Sequence, residues 1–159
     1  MIALLKRFRE LAGIASDRDA LEKGIVTAIA AELPYYHWTG FYWLDPSDAE
    51  TLVVGAYVGD PTPHVRIPVT QGICGAAVAS GETVVVDDVH ADPRYLSCSI
   101  QTKSEIVVPI TVHGKVIGEI DIDSHIPAAF SASDRIFLEE VALIVGMFLE
   151  KHAGEDARH

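Results

Sequence analysis

The segment 118–124, GEIDIDS, alternates between apolar and acidic residues. This alternation predicts a β-strand with one buried face, so the carboxyl groups of Glu119, Asp121 and Asp123 share the other face, each about 7 Å from the next. Carboxyl groups this close cannot all ionise freely, and such a cluster keeps at least one proton near neutral pH. A protonated acid can donate a proton to a leaving oxygen, and an ionised one can bind an ammonium group. The alternative is an ordinary solvated outer face.

The chain has two cysteines, Cys74 in the run GICG and Cys98 in the run LSCSI. A free cysteine is more often an inert buried side chain than a nucleophile. Two thiols in polar, glycine- or serine-rich segments, however, are the arrangement used for reversible sulfenic acid and disulfide chemistry. No histidine lies at metal-ligand spacing from either cysteine, so the sequence predicts no metal site.

Length and charge limit the class of protein. The 159 residues suffice for one hydrophobic core, and 12 basic against 23 acidic residues give a net charge of −11. Nucleic acids and anionic membranes require the opposite sign, so we expect neither as a partner. Charges interrupt the opening run MIALLKRFRELAG before an apolar core of signal-peptide length. We therefore expect a soluble, cytoplasmic protein.

The pattern of apolar residues predicts helices at both ends of the chain and strands between them. Helical spacing covers 2–13, a second helix follows a capping box at Ser16 and Asp19 and ends at Pro34, and Ser131-x-x-Asp134 caps a long C-terminal helix. Between them, 38–44 and 51–57 predict a hairpin, the run QGICGAAVASG a short helix, 82–87 a strand and 90–103 a long functional loop. This order favours an α+β fold, with terminal helices on one face of an antiparallel sheet.

The acidic strand, 116–124, follows another strand-like segment, 105–112, across the three-residue turn HGK. The register that makes one face of this second hairpin apolar throughout places Glu105 directly across from Asp123. Like charges that face each other destabilise a sheet. Since acids from two strands converge on one end of the hairpin, we favour a functional pocket over a solvated face.

Four runs of the sequence, HWTGFYWL, RIPVTQGICGAAVASGETVVVDDVH, SEIVVPI and VIGEIDIDS, resemble the free methionine-(R)-sulfoxide reductases, a branch of the GAF domain superfamily. The resemblance extends over about residues 20–150, with the GxCG, DVH, SEIVVP and DIDS motifs at the family's spacing. It implies a GAF-like fold with a ligand pocket on the sheet face opposite the terminal helices. The whole chain, 1–159, would be one such domain, with a helical extension at 1–15 and a tail at 153–159.

The resemblance also implies roles for the cysteines and the acids. Cys98 matches the catalytic cysteine of the family, and Cys74 matches the cysteine that forms a disulfide with it. Glu105, Asp121 and Asp123 match the acids that hold and protonate the substrate.

Further substrate contacts are implied on the first strand and in the long loop. Trp38 and Tyr42 match the aromatic residues that enclose the methyl end of the substrate. The loop at Leu96 and Ser97 would supply backbone N–H donors for the carboxylate of an amino acid.

The chain departs from the family pattern at three positions. His64 stands where fuller members carry a third cysteine, and Ser99 stands where an aspartate commonly follows the catalytic cysteine. Glu119 replaces a usual apolar residue and adds a charge near the acid cluster.

The predicted activity is thiol-dependent reduction of free L-methionine-(R)-sulfoxide. Cys98 would attack the sulfur while Asp123 or Asp121 protonates the oxygen, and Cys74 would then condense with the Cys98 sulfenic acid. An external dithiol, for which thioredoxin is the candidate, would reduce the disulfide, and no cofactor is expected to be bound. The alternative is a non-catalytic GAF domain that binds a small molecule. A third interpretation, a structural or oligomerisation domain, is favoured only by the broad apolar C-terminal helix, which is compatible with a homodimer.

Overall fold

Alternating and continuous apolar runs in the middle of the chain form one antiparallel sheet. The computed structural model describes residues 1–97 and 99–156, with side chains as far as residue 153. Six strands lie in the order β3-β2-β1-β6-β5-β4. They are β1 (Trp38–Asp45), β2 (Asp48–Val58), β3 (Arg66–Pro68), β4 (Val84–Val86), β5 (Ser104–Val112) and β6 (Lys115–Ser124). The acidic strand β6 therefore lies at the centre of the sheet, between β1 and β5.

The helices cover the two faces of this sheet unequally. They are α1 (Ile2–Ile14), α2 (Arg18–Glu32), α3 (Gly72–Ser80) and α4 (Ala132–Asp156), with a short 3₁₀ turn at Val89–Ala91. Side chains of α1, α2 and α4 form one core with the inward residues of β1, β5 and β6, such as Phe41, Ile106 and Ile120. A second, smaller core on the opposite face joins α3 to Tyr42 and Val107. The predicted α+β architecture is confirmed.

The two helix starts predicted from capping residues have different outcomes. Ser131 and Asp134 form the predicted box, since the Ser131 N–H donates to Asp134 Oδ2 at 2.9 Å and the Asp134 N–H donates to Ser131 Oγ at 3.3 Å. At α2 the prediction is wrong by one residue. Asp17 is the N-cap, and its carboxylate accepts the Ala20 N–H at 2.8 Å. An aspartate caps at least as well as a serine, so the helix begins one residue later.

The hairpin of β5 and β6 has the predicted register over most of its length, and Glu105 pairs with Asp123. The predicted three-residue turn is wrong, because Lys115 already pairs with Val112. His113 and Gly114, at φ 51° and 77°, make a two-residue turn whose positive φ angles suit the twist of the strands. A register shift next to Ile110 absorbs the extra residue.

A buried glutamate ties α2 to the sheet. The Glu22 Oε1 accepts the Trp43 Nε1–H at 2.7 Å and the Ala56 N–H at 3.2 Å, and its Oε2 lies 3.3 Å from Arg18 Nε. These contacts fix the helix across β1 and β2, and so hold β1 in place beside β6. Among the helices of the described chain, none is both long and apolar enough to cross a membrane.

Candidate active site

Four carboxyl groups lie on the sheet face opposite the terminal helices, and we call them the acid face: Glu105, Glu119, Asp121 and Asp123. The alternation of β6 and its pairing with β5 place them together. Their exposed fractions are 6%, 0%, 2% and 3%, respectively. The alternative of a solvated outer face is therefore wrong, because α3 and the loops around it cover these groups.

Burial controls the protonation of the acid face. Loss of hydration raises the pKa of all four carboxyl groups, and the charges of Asp121 and Asp123 raise the pKa of Glu105 further. Among the ion pairs of the described residues, none includes one of these four acids. Without a cation beside them, burial and mutual repulsion both favour the protonated form of these groups.

Cys74 lies in the first turn of α3, directly over the acid face. Its thiol is buried and donates to Asp121 Oδ2 at 3.5 Å. A helix N-terminus normally lowers the pKa of a thiol. Here burial, followed by the charges of Asp121, Glu119 and Glu105, raises the pKa of Cys74 well above its ordinary value. The group is therefore held as a neutral thiol in this state.

Two glycines allow α3 to lie this close to its neighbours. Gly72 has a φ of 72°, and a Cβ there would lie 3.0 Å from Leu96 Cδ1. A Cβ on Gly75 would lie 2.5 Å from the carbonyl oxygen of Val69. The run GICG thus places the Cys74 thiol where a chain with larger residues could not.

Trp38 and Tyr42 lie on the face of β1 that carries the acids, paired with Asp123 and Glu119. Their rings stack with centroids 6.1 Å apart. Each also holds the loop at 59–65, since the Trp38 Nε1–H donates to the Asp60 carbonyl at 3.1 Å and the Tyr42 O–H donates to the His64 carbonyl at 2.8 Å. The two aromatic side chains form a wall of the site and anchor the loop that covers it.

Seven of the nine predicted site residues line two small cavities. The first, of about 10 Å³, is bordered by Tyr42, Cys74, Leu96, Glu105 and Asp121, together with His64, Ile67, Gly72 and Ile73. The second, of about 20 Å³, is bordered by Trp38 and Asp123, together with His37, Asp60, Pro61, Thr62, Ser99, Thr102 and His125. A cavity of the first size holds about one water molecule. Cys98, the predicted catalytic cysteine, lies outside the described residues.

The long loop contacts the site through two predicted residues in different ways. Leu96 borders the first cavity, whereas Ser97 is exposed and lines neither cavity. The carbonyl oxygen of Ser97 lies 2.9 Å from His64 Nε2. His64, which replaces a family cysteine, thereby joins the two loops that cover the acid face. Nothing in the local sequence around His64 indicates this contact, because its partner lies 33 residues away.

A pair of histidines beside Asp123 was also missed. The rings of His37 and His125 stack with centroids 3.8 Å apart, and the His125 N–H donates to His37 Nδ1 at 3.0 Å. Burial, followed by the charge of His125, lowers the pKa of His37. The two residues are 88 positions apart, and only the pairing of β1 with β6 brings them together.

The sequence model of the GAF domain family matches residues 20–149 of this chain. The chain belongs to the GAF domain family. Protein YtsP of Bacillus subtilis is 36% identical over 139 residues, which are 87% of this chain and 84% of that protein.

Other relatives of this GAF domain carry the name of one branch. The free methionine-R-sulfoxide reductase of Saccharomyces cerevisiae is 39% identical over 110 residues, 69% of this chain and 61% of the yeast protein. The solved structure of the free methionine-R-sulfoxide reductase of Neisseria meningitidis, in complex with its substrate, has a TM-score of 0.87 at 33% identity and covers 94% of this chain and 89% of that one. The GAF domain described here therefore belongs to the free methionine-R-sulfoxide reductase family, whose members are oxidoreductases, and the predicted family is confirmed.

Proposed function

We propose that this protein reduces free methionine-(R)-sulfoxide to methionine. The observation that carries the proposal is the acid face, four buried carboxyl groups beside a buried thiol, on a fold shared with a Neisseria meningitidis reductase solved with its substrate. The chain aligns with 61% of the length of the yeast reductase.

The charge of the acid face selects a free amino acid. Glu105 and Asp123 face each other across the hairpin, and within the described chain no lysine, arginine or histidine pairs with either. An ammonium group supplies the missing positive charge. A methionine sulfoxide inside a peptide has no such group, so burying its neutral amide beside these carboxyl groups is unfavourable. Trp38 and Tyr42 would contact the methyl end of the substrate.

The first chemical step transfers oxygen from the sulfoxide to Cys98. The Cys98 thiolate attacks the sulfoxide sulfur, and Asp121 or Asp123 donates a proton to the oxygen, which is otherwise a poor leaving group. The sulfur–oxygen bond then breaks and the hydroxyl moves to the Cys98 sulfur, while the transient bond between Cys98 and the substrate sulfur breaks. Methionine leaves, and Cys98 becomes a sulfenic acid. The raised pKa of both aspartates favours the protonated form that makes this donation.

The second step forms a disulfide and releases the oxygen as water. The Cys74 sulfur attacks the Cys98 sulfenic acid, its thiol proton passes to Asp121 at 3.5 Å, and the hydroxyl leaves with a proton as water. An external dithiol, of the thioredoxin type, then reduces the disulfide to two thiols. The net reaction converts the sulfoxide and the dithiol into methionine, an oxidised dithiol and water.

Substrate entry requires the covering loops to open. The first cavity, at about 10 Å³, holds a water molecule but not an amino acid. The contacts of Tyr42 and Trp38 with the loop at 59–65, and of His64 with Ser97, would have to separate. Closure over the bound substrate would then exclude water from the acid face.

Separate assays with the R and S isomers of free methionine sulfoxide test this function. With dithiothreitol or thioredoxin as reductant, we expect turnover of the R isomer alone, and a racemic mixture should stop near half conversion. Cys98→Ser should abolish turnover and leave the thermal unfolding curve unchanged. Binding of the R isomer without methionine release in the wild type would instead indicate a ligand-binding domain.

A further inference from the structure

Three possible metal ligands come together at the acid face. Cys74 Sγ, a carboxyl oxygen of Glu105 and one of Asp121 all lie within 4.8 Å of one another, and all three residues are buried. The distance from Cys74 Sγ to Asp121 Oδ2 is 3.5 Å. Sulfur and oxygen ligands of one tetrahedral zinc ion, with Zn–S about 2.3 Å and Zn–O about 2.0–2.2 Å, lie about 3.5 Å apart.

An unpartnered oxygen of this group points to a ligand at the same place. Asp121 is 2% exposed and borders the first cavity, and its Oδ1 has no hydrogen-bond partner among the described residues. A fourth buried acid, Glu119, projects from β6 on the same side as Asp121. Buried polar atoms of this kind are rare in folded proteins unless an ion or another group completes them.

The size and donor set of the first cavity favour one small, borderline-soft cation. Its volume of about 10 Å³ matches one water molecule or one ion. Mg²⁺ and Ca²⁺ take oxygen ligands, whereas one thiolate together with carboxylates suits Zn²⁺. In the described part of the chain, no arginine, lysine or histidine ion pair already supplies positive charge to these acids.

We propose that the reduced protein binds one Zn²⁺ ion through Cys74 Sγ and carboxyl oxygens of Glu105 and Asp121. The ion displaces the thiol proton and any protons on the two carboxyl groups, these protons are released to solvent, and no electron is transferred. The sequence-based expectation of no metal considered only ligand spacing along the chain, whereas these three residues come from α3, β5 and β6.

The bound ion would exclude the proposed reaction, because it occupies the thiol and the carboxyl groups that the two chemical steps use. Zinc binding itself does not depend on the proposed function, since it requires neither turnover nor a reductant. Zinc binding can therefore be tested on protein that has not been exposed to a sulfoxide, and reductase activity can be measured without zinc.

Titration of the reduced protein with Zn²⁺ against a chromophoric chelator measures the site directly. We expect one Zn²⁺ per chain, and replacement by Co²⁺ should give a near-ultraviolet thiolate charge-transfer band. Cys74→Ser should remove the band and weaken Zn²⁺ binding by about 100-fold, and Glu105→Gln should weaken it by about tenfold. Glu50→Gln, which changes an exposed carboxyl group on β2, is the matched control and should bind as the wild type does.

The Cys98→Ser variant shows which thiol the band reports, because Cys74 is then the one cysteine of the chain. The band should persist in this variant. Its loss there, its persistence in Cys74→Ser, or the absence of stoichiometric binding by the reduced wild type would each overturn the proposal. Circular dichroism and thermal unfolding identify any variant that fails to fold, and in that case Glu105→Gln and Cys98→Ser decide the result.

Discussion

At the scale of single residues, the four carboxyl groups of the acid face are buried away from water. Each of the four would be more stable in water, and their raised pKa values record this cost. Since the fold gains nothing from the buried carboxyl groups themselves, their value lies in the proton they hold and the cation they attract. Removing one should therefore affect activity and stability in opposite directions.

Asp123→Asn tests this separation. The change preserves size but removes the acid that faces Glu105, so the free energy of unfolding should hold steady or rise by a few tenths of a kcal/mol. Activity toward the R isomer should fall by about 100-fold, the usual scale for loss of a general acid. Initial rates and thermal denaturation measure the two effects, and Glu50→Gln should change neither. Unchanged turnover would show that Asp123 takes no part in the chemistry.

The pH dependence of stability follows from the same residues. The pKa of Glu119 is raised well above 4.5 in the folded protein, so between the two values the folded state holds a proton that the unfolded chain releases. Its contribution is complete below about pH 4.5 and is lost as the pH rises through the folded-state pKa. We expect the wild-type melting temperature to fall from pH 5 to about pH 8 more steeply than that of Glu119→Gln. Parallel melting curves for the two proteins would contradict this.

At the scale of elements, the position of α3 depends on its lack of side-chain bulk. The carbonyl oxygen of Val69 occupies the space beside Gly75, and it belongs to the backbone and cannot rotate away. Any side chain at this position must push the helix, and the Cys74 thiol with it, away from the acid face.

Gly75→Ala should therefore destabilise the protein by about 1–3 kcal/mol, in spite of the better helix propensity of alanine. Gly13→Ala is the matched control, because a Cβ at Gly13 in α1 would meet no atom within 4 Å. The control should be neutral or stabilising by up to about 1 kcal/mol. Urea denaturation of both variants measures the difference, and similar effects in the two would show that the contact with Val69 is unimportant.

The elements also show what the sequence could predict and what it could not. The alternation of GEIDIDS determined which residues of β6 share a face, and the apolar face of the hairpin determined that Glu105 pairs with Asp123. Local patterns favoured a pocket at the acid face but could not predict which elements bury it, because its cover comes from α3 and from loops distant in the chain. The same limit applies to the contact between His64 and Ser97. The predictions of the turn between β5 and β6 and of the N-cap of α2 were each wrong by one residue. At both places two neighbouring positions suit the local structure about equally well.

At the scale of the whole molecule, single hydrogen bonds hold the loops closed over the site. Tyr42 and Trp38 hold the loop at 59–65, and His64 connects it to the loop that carries Ser97. These are single hydrogen bonds over a small cavity, each with a net contribution of about 1 kcal/mol. Openings of the site therefore need far less free energy than global unfolding.

Tyr42→Phe should make this opening more frequent, because it removes the O–H group that donates to the His64 carbonyl. Amide hydrogen exchange at 59–65 should accelerate by about three- to tenfold, which corresponds to loss of one hydrogen bond of about 1 kcal/mol. Exchange in β5 should stay unchanged and serves as the internal control. Addition of the R isomer should slow exchange at 59–65 in the wild type, and unaltered exchange with saturating substrate would contradict closure over the ligand.

The buried acids have one more consequence, for the relation between binding and folding. A cation binds the acid face best when its carboxyl groups are ionised, which is the state in which they destabilise the empty fold. Raising the pH therefore increases the affinity for the ligand and weakens the free protein over the same interval. The thermal protection that a saturating ligand provides should grow with pH, so the protein depends most on its ligand for stability under the conditions where it holds that ligand most tightly.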